Sequence, residues 1–138
     1  FLPLLSLLLN FSAQNISQDY EAYTYAKVSL QRLPPGAIII TDSDPQTFAL
    51  WYGRYGLGWR SDVTVVNSNL LADAWYRQTL SQNHANLRLM NVTNLAAFIE
   101  ANFFNAPIYL ATGHPLDGAD YRLKPVGNLR RVMKPAHD

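Results

Sequence analysis

Ala37-Ile38-Ile39-Ile40-Thr41 is the stretch on which the fold class turns. It is strongly apolar, rich in β-branched side chains and free of polar alternation. Such a run is a strand covered on both faces, the condition found inside a parallel sheet. Pro34-Pro35-Gly36 closes whatever precedes it. Two later stretches have the same character, Asp62-Val63-Thr64-Val65-Val66 and Pro107-Ile108-Tyr109-Leu110-Ala111.

Outward from these runs the pattern turns helical. Before the first, Tyr20, Tyr23, Ala26, Leu30 and Leu33 recur at helical spacing, so a helix is predicted over 17–33. Ser17 is its N-cap, and Asp19 and Glu21 favour its first turn. After the first run, Asp44 reads as the cap of a helix with Pro45 at its first position. That helix carries Phe48, Leu50, Trp51, Tyr52 and Tyr55 and ends near Gly56 or Gly58. Beyond the second run a helix is predicted over 70–81, then a loop over 83–86 and a short extended piece over 87–90. Thr93 or Asn94 caps a helix over 95–103. A loop over 113–118 follows the third run, then a hairpin of 121–126 and 129–133 about Gly127-Asn128. Strands alternating with helices give a single α/β domain over 1–138: a three-layer sandwich with a mostly parallel central sheet of about three parallel strands, plus a C-terminal antiparallel hairpin.

Composition bounds the function. Charged residues make up only 15% and hydrophobic residues 49%, which excludes disorder as the main state. The net charge of +1 gives a nucleic-acid partner no electrostatic support. With no cysteine there is no disulfide scaffold, cysteine zinc site or thiol chemistry. The three histidines, His84, His114 and His137, lie too far apart for a short metal motif, and neither a metal nor a cofactor is implied. The start, Phe1-Leu-Pro-Leu-Leu-Ser-Leu-Leu-Leu, lacks an initiator Met and predicts a piece of a longer chain. Nine residues are too few to span a bilayer, which takes about 20. Two readings of the run stand: a buried strand or segment packed on the domain, or the run-out of a transmembrane helix.

In open α/β sheets ligands gather beyond the carboxyl ends of the parallel strands. There the chain offers Asp42, Asp44, Thr47, Asn67, Asn69 and His114 as a candidate ligand crevice; capping and turn-making is the competing role of the same residues. Asp42-Ser43-Asp44 superficially resembles the nucleophile loop of haloacid-dehalogenase phosphatases, but Gln46 interrupts the pattern and no later acidic pair follows a strand. Gly53, Gly56 and Gly58 follow a helix instead of opening one, so they build no phosphate cradle. Trp51-Tyr52 and Trp75-Tyr76 are candidate stacking aromatics: one ring of each pair enters the core and the other is available to a sugar or a membrane interface. Lys124 and Arg130-Arg131 form a small basic cluster, and Asn10, Asn15 and Asn91 head glycosylation-type triplets.

Leu33-Pro-Pro-Gly-Ala-Ile-Ile-Ile-Thr41, Asp44, Thr47-Phe-Ala-Leu-Trp-Tyr52, Arg60-Ser-Asp-Val63, Asn67, Leu70-Leu71 and Trp75-Tyr76 together resemble one family. It is the soluble C-terminal region of polytopic membrane proteins of unknown function, similar to the vertebrate transmembrane O-mannosyltransferase that acts on plexin-type receptor domains. The resemblance covers residues 10–76 and departs at Gln46, where the family usually carries a second acidic residue. It implies an extracytoplasmic accessory domain of a membrane-embedded glycosyltransferase-like protein in a bacterial setting. The domain would be non-catalytic alone, with residues 1–12 as the junction to a membrane region. Its partners would be the membrane domain of the same parent chain and a glycan or protein acceptor. Arg60 and Asp62 would be structural, fixing the entry to the second strand. Two other readings stand beside it: a free-standing small hydrolase or nucleotide binder with its site at the strand ends, and a glycan- or protein-binding module.

Overall fold

The computed structural model describes residues 1–17, 19–111 and 121–134. Its helices are α1 (Leu2–Gln14), α2 (Glu21–Gln31), α3 (Asp44–Trp51), α4 (Ala74–Asn83) and α5 (Leu95–Asn102). Its strands are β1 (Ile38–Thr41), β2 (Thr64–Asn67), β3 (Ile108–Leu110), β4 (Arg122–Val126) and β5 (Leu129–Met133). They form one five-stranded sheet in the order β2-β1-β3-β5-β4. β1 runs parallel to β2 and β3, with Ile39 opposite Val65 on one side and Tyr109 on the other. β5 runs antiparallel to both β3 and β4.

The sheet is therefore mixed, and the expectation of a mostly parallel sheet is corrected. Two of its pairings are parallel and two antiparallel. The physical reason lies in β5. It is an interior strand, hydrogen-bonded to β3 through Tyr109–Arg131 and Leu110–Arg130, and so carries half of the ladder with it. Gly127 makes this possible: at φ +62 it takes the left-handed first position of a two-residue turn, so β4 folds straight back on β5.

The unbroken apolar runs are explained by cover on both faces. Ile39, Val65, Tyr109 and Leu129 face one way, onto Leu30 and Leu33 around α2 and Leu50 of α3. Ile38, Ile40, Val66, Ile108, Leu110 and Val132 face the other, onto Tyr76 and Leu80 of α4 and Phe98 and Ile99 of α5. Burying one such side chain contributes roughly 1.5–3 kcal/mol, so every position of β1 works for the core, which a solvent-facing alternation would forfeit.

Several boundaries differ from the sequence reading. α2 begins at Glu21, not Ser17, and Asp19 Oδ1 accepts the Glu21 N–H at 3.0 Å. The cap of α3 falls on Ser43, with Asp44 already its first residue. α3 runs on into a π-helical turn, Tyr52–Gly56. Where a helix over 70–81 is expected, the chain makes a 3-10 turn, Ser68–Leu70, before α4 starts at Ala74. Leu71 falls between the two and is fully buried, which breaks the helix in favour of the core. Residues 87–90 form no strand. Asn94 caps α5, its Oδ1 accepting the Ala97 N–H at 2.9 Å.

The N-terminal apolar run is neither a strand nor buried. It is the helix α1, and none of its residues is buried. Leu2, Leu4, Leu5, Leu7, Leu8, Leu9 and Phe11 are all exposed, and at 100° per residue they cover well over half of its circumference, leaving a stripe of Pro3, Ser6, Asn10 and Gln14. The reading of a segment packed on the domain is thereby overturned. Among the described residues no helix is long and apolar enough to cross a membrane.

Candidate functional site

The carboxyl ends of β1 and β2 do come together, and their polar atoms bond to one another. The Thr47 hydroxyl donates to Ser43 O at 2.7 Å. It lies 2.7 Å from the Thr41 hydroxyl and accepts the Asn67 side-chain amide at 3.3 Å. A hydroxyl offers one donor and two acceptor positions, so that of Thr47 is saturated. Thr41, Thr47 and Asn67 are 0%, 1% and 5% exposed. Outside them, Asn69 N–H donates to Asn67 Oδ1 at 2.9 Å and its side-chain amide to Asp42 O at 2.7 Å. Ser68 Oγ donates to Thr41 O at 3.0 Å. Asp42 is half-buried, Asp44 is exposed at the head of α3, and His114 lies outside the described residues. The shared network staples two parallel strands at the point where their chains diverge.

Arg60 and Asp62 form a second polar cluster, at the opposite end of β2. Arg60 Nε and Nη2 donate to the two Asp62 oxygens at 2.9 and 2.8 Å, and Asp62 Oδ2 also accepts Gly36 N–H at 3.0 Å. Arg60 Nη1 reaches Leu30 O and Leu33 O, each at 2.8 Å, and Nη2 reaches Pro34 O at 3.1 Å. The guanidinium holds the Asp62 carboxyl well below the usual carboxylate range.

An open groove of about 770 Å³ lies beside the edge strand β2, between the end of α3 and the outer face of α4. Three of the four predicted stacking aromatics, Trp51, Trp75 and Tyr76, line it, joined by Tyr55. Tyr52 does not line this groove; its ring lies against Gly56. Tyr76 is the anchored ring: it is 5% exposed, and its hydroxyl accepts Asn67 N–H at 2.9 Å. Burial pushes that phenol up. Trp75 stands edge-on to it at 5.7 Å, and Trp51 edge-on to Phe48 at 5.9 Å. Trp75 and Tyr55 remain 59% and 55% exposed, although aromatic side chains of this size usually give their area to a core.

Polar groups edge the groove. Arg54 Nε donates to Val63 O at 2.9 Å and Nη2 to Ser61 O at 2.5 Å, while its guanidinium lies over the Tyr55 ring at 5.0 Å. His84 sits with Nδ1 3.3 Å from Thr64 Oγ1 and Nε2 3.5 Å from the Tyr55 hydroxyl. Burial, helped by the Arg54 charge, lowers the His84 pKa from its ordinary 6.5. The unfolded chain therefore takes up the proton first as pH falls. The His84 contribution to stability is complete above pH 6.5 and is lost as pH drops from there through the folded value. Melting temperatures taken from pH 7.5 to 5 should fall, and His84→Gln should flatten that slope; an unchanged slope in the variant would refute the assignment.

Arg54, Tyr55 and His84 are absent from the sequence-derived site. A signal existed for the first two, which lie three and four residues after Trp51 and so share its helix face. None existed for His84, which meets Thr64 only because α4 lies along β2. Elsewhere, the hairpin sets Lys124 directly opposite Arg131 with Arg122 on the same face, an exposed basic strip of like charges.

A mixed-sheet α/β domain with a stapled strand end and an aromatic edge groove defines a class but no activity. The family model for TMEM260-associated domain 2 matches residues 22–94, more than half of the chain, and the chain belongs to that family. The matched segment runs from α2 to the cap of α5 and includes the strand-end network and the groove. Comparison with curated proteins and with solved structures gives no match. The domain is thus an accessory domain of a TMEM260-like protein, which sets it in the context of a membrane protein.

Proposed function

We propose that this is the extracytoplasmic accessory domain of a membrane-embedded glycosyltransferase-like protein, bacterial in setting, with the chemistry carried out elsewhere in the parent chain. The observation that carries the reading is α1. A 13-residue helix is marginal alone in water, and this one is uncharged, unburied and apolar everywhere but along the stripe of Ser6, Asn10 and Gln14. Such a helix finds its stability in a lipid or protein environment that covers its broad apolar face. Restoring even half of the cover on its seven large apolar side chains is worth on the order of 5–10 kcal/mol. Its length of about 20 Å suits the run-out of a membrane helix or a segment lying against the membrane part of the parent. A role without turnover fits the strand ends, where Thr41, Thr47 and Asn67 bind one another.

Co-sedimentation with phosphatidylcholine vesicles tests this. The chain is expected in the pellet, and the double variant Leu7→Asp/Leu8→Asp in the supernatant with an unchanged melt of the α/β body. A wild-type chain that stays in the supernatant would sink the membrane reading. Turnover of a lipid-linked sugar by this chain alone would sink the non-catalytic one.

A further inference from the structure

We infer that the groove at the β2 edge is a binding site for an uncharged saccharide, a pyranose ring or a short oligosaccharide. It shares no residue with α1 and stands apart from the membrane reading. The volume, about 770 Å³, is that of a ligand site. The chemistry selects the ligand. Trp51, Tyr55, Trp75 and Tyr76 supply flat apolar faces, which suit the C–H face of a sugar ring. Thr79, Asn83 and His84 supply hydroxyl, amide and imidazole groups, which suit its hydroxyl edge. Asn83 Nδ2 donates to Thr79 O at 2.9 Å, and among the described residues its Oδ1 accepts nothing. Thr79 Oγ1 donates to Trp75 O at 2.9 Å, which leaves its lone pairs as acceptors for a sugar hydroxyl that a purely apolar ligand could not supply.

Charge narrows the choice further. Among the described residues no carboxylate lines the groove, and Arg54, its one fixed cation there, would repel a cationic ligand. That same guanidinium is already held by Val63 O and Ser61 O, which leaves little for an anionic one. The rings are also set before binding. Tyr76 is pinned through Asn67, Trp75 leans on Tyr76, Trp51 leans on Phe48, and Tyr55 is clasped between Arg54 and His84. Preset rings lose little freedom on binding.

The chain carries its own control. Of its three tryptophans, Trp51 and Trp75 line the groove, whereas Trp59 lies against Tyr23 of α2, 5.1 Å away. The indole N–H signals of the whole chain are to be followed by NMR. The probes are methyl α-mannopyranoside, methyl β-glucopyranoside, maltotriose and chitotriose. Saturable shifts of Trp51 and Trp75 with at least one probe are expected, with Trp59 unmoved. Trp75→Ala should weaken that binding about tenfold, without a loss of melting temperature because the ring is largely exposed. The Leu7→Asp/Leu8→Asp variant should bind the sugar as the parent chain does, so failure of the membrane reading and failure of this one are told apart. No saturable shift with any of the four sugars would overturn the inference. So would shifts of Trp51 and Trp75, with Trp59 unmoved, when the Leu7→Asp/Leu8→Asp variant meets phosphatidylcholine vesicles, which would make the groove a membrane-facing surface.

Discussion

Asn102→Ala is expected to cost about 3 kcal/mol, a fall of roughly 10 °C in melting temperature for a domain of this size. Asn102 is 0% exposed at the end of α5. Its Oδ1 accepts Arg88 N–H at 2.8 Å, and its Nδ2 donates to Arg88 O at 2.9 Å and to Phe98 O at 3.0 Å. One side chain thus pairs both backbone groups of a residue in the irregular link between α4 and α5. Alanine would leave both without a partner in a part-buried setting, and each such loss costs about 1–3 kcal/mol. Asn102→Asp keeps the shape but sets a carboxylate against two carbonyl oxygens. Its folded pKa should rise, so the variant's loss relative to the parent should be smallest below about pH 4 and grow as pH climbs. A melt of Asn102→Ala indistinguishable from that of the parent would show that Arg88 is not held in this way.

Arg60→Ala should cost about 2–4 kcal/mol. The end of α2 explains why. Pro34 and Pro35 have no N–H, so the carbonyls of the helix end need donors from elsewhere. Arg60 brings them from 26 to 30 residues away, to Leu30, Leu33 and Pro34. Arg60→Lys should recover only part, because an ammonium lacks the fork that serves three carbonyls and a carboxylate together. Arg60→Gly should cost roughly 1 kcal/mol less than alanine, since Arg60 sits at φ +47, where a Cβ is a burden. Asp62→Ala should cost less than Arg60→Ala: its side chain is 38% exposed, and exposed ion pairs are worth little. The folded pKa of Asp62 lies below its ordinary 3.8, so its contribution is present above that pH and fades as pH falls below it. Equal losses for Arg60→Ala and Asp62→Ala would mean that the ion pair, and not the helix end, is what Arg60 serves.

These two residues show what can be read from a chain and what cannot. Arg60 and Asp62 were visible as a polar pair before a strand, but the carbonyls that Arg60 serves belong to the last turn of α2 and the residues just after it. Asn102 gave no sign: an Asn at the end of a helical pattern reads as a cap, and its partner Arg88 is distant in the chain. At the groove, Trp51, Trp75 and Tyr76 stood out by composition, whereas His84 entered only through the packing of α4 along β2.

By itself the sequence determined the elements that carry their reason locally. The three aliphatic runs are strands because each side chain in them needs cover, and Pro34-Pro35-Gly36 and Gly127-Asn128 are turns because their backbones allow little else. Only the tertiary structure decided the neighbours of each strand. β5 took the free edge of β3 and made the sheet mixed because Leu129 and Val132 are buried there on opposite faces, a preference no local pattern expresses. The same holds for α1, whose apolar surface is plain in the chain, while only the coordinates show that the α/β body leaves it uncovered.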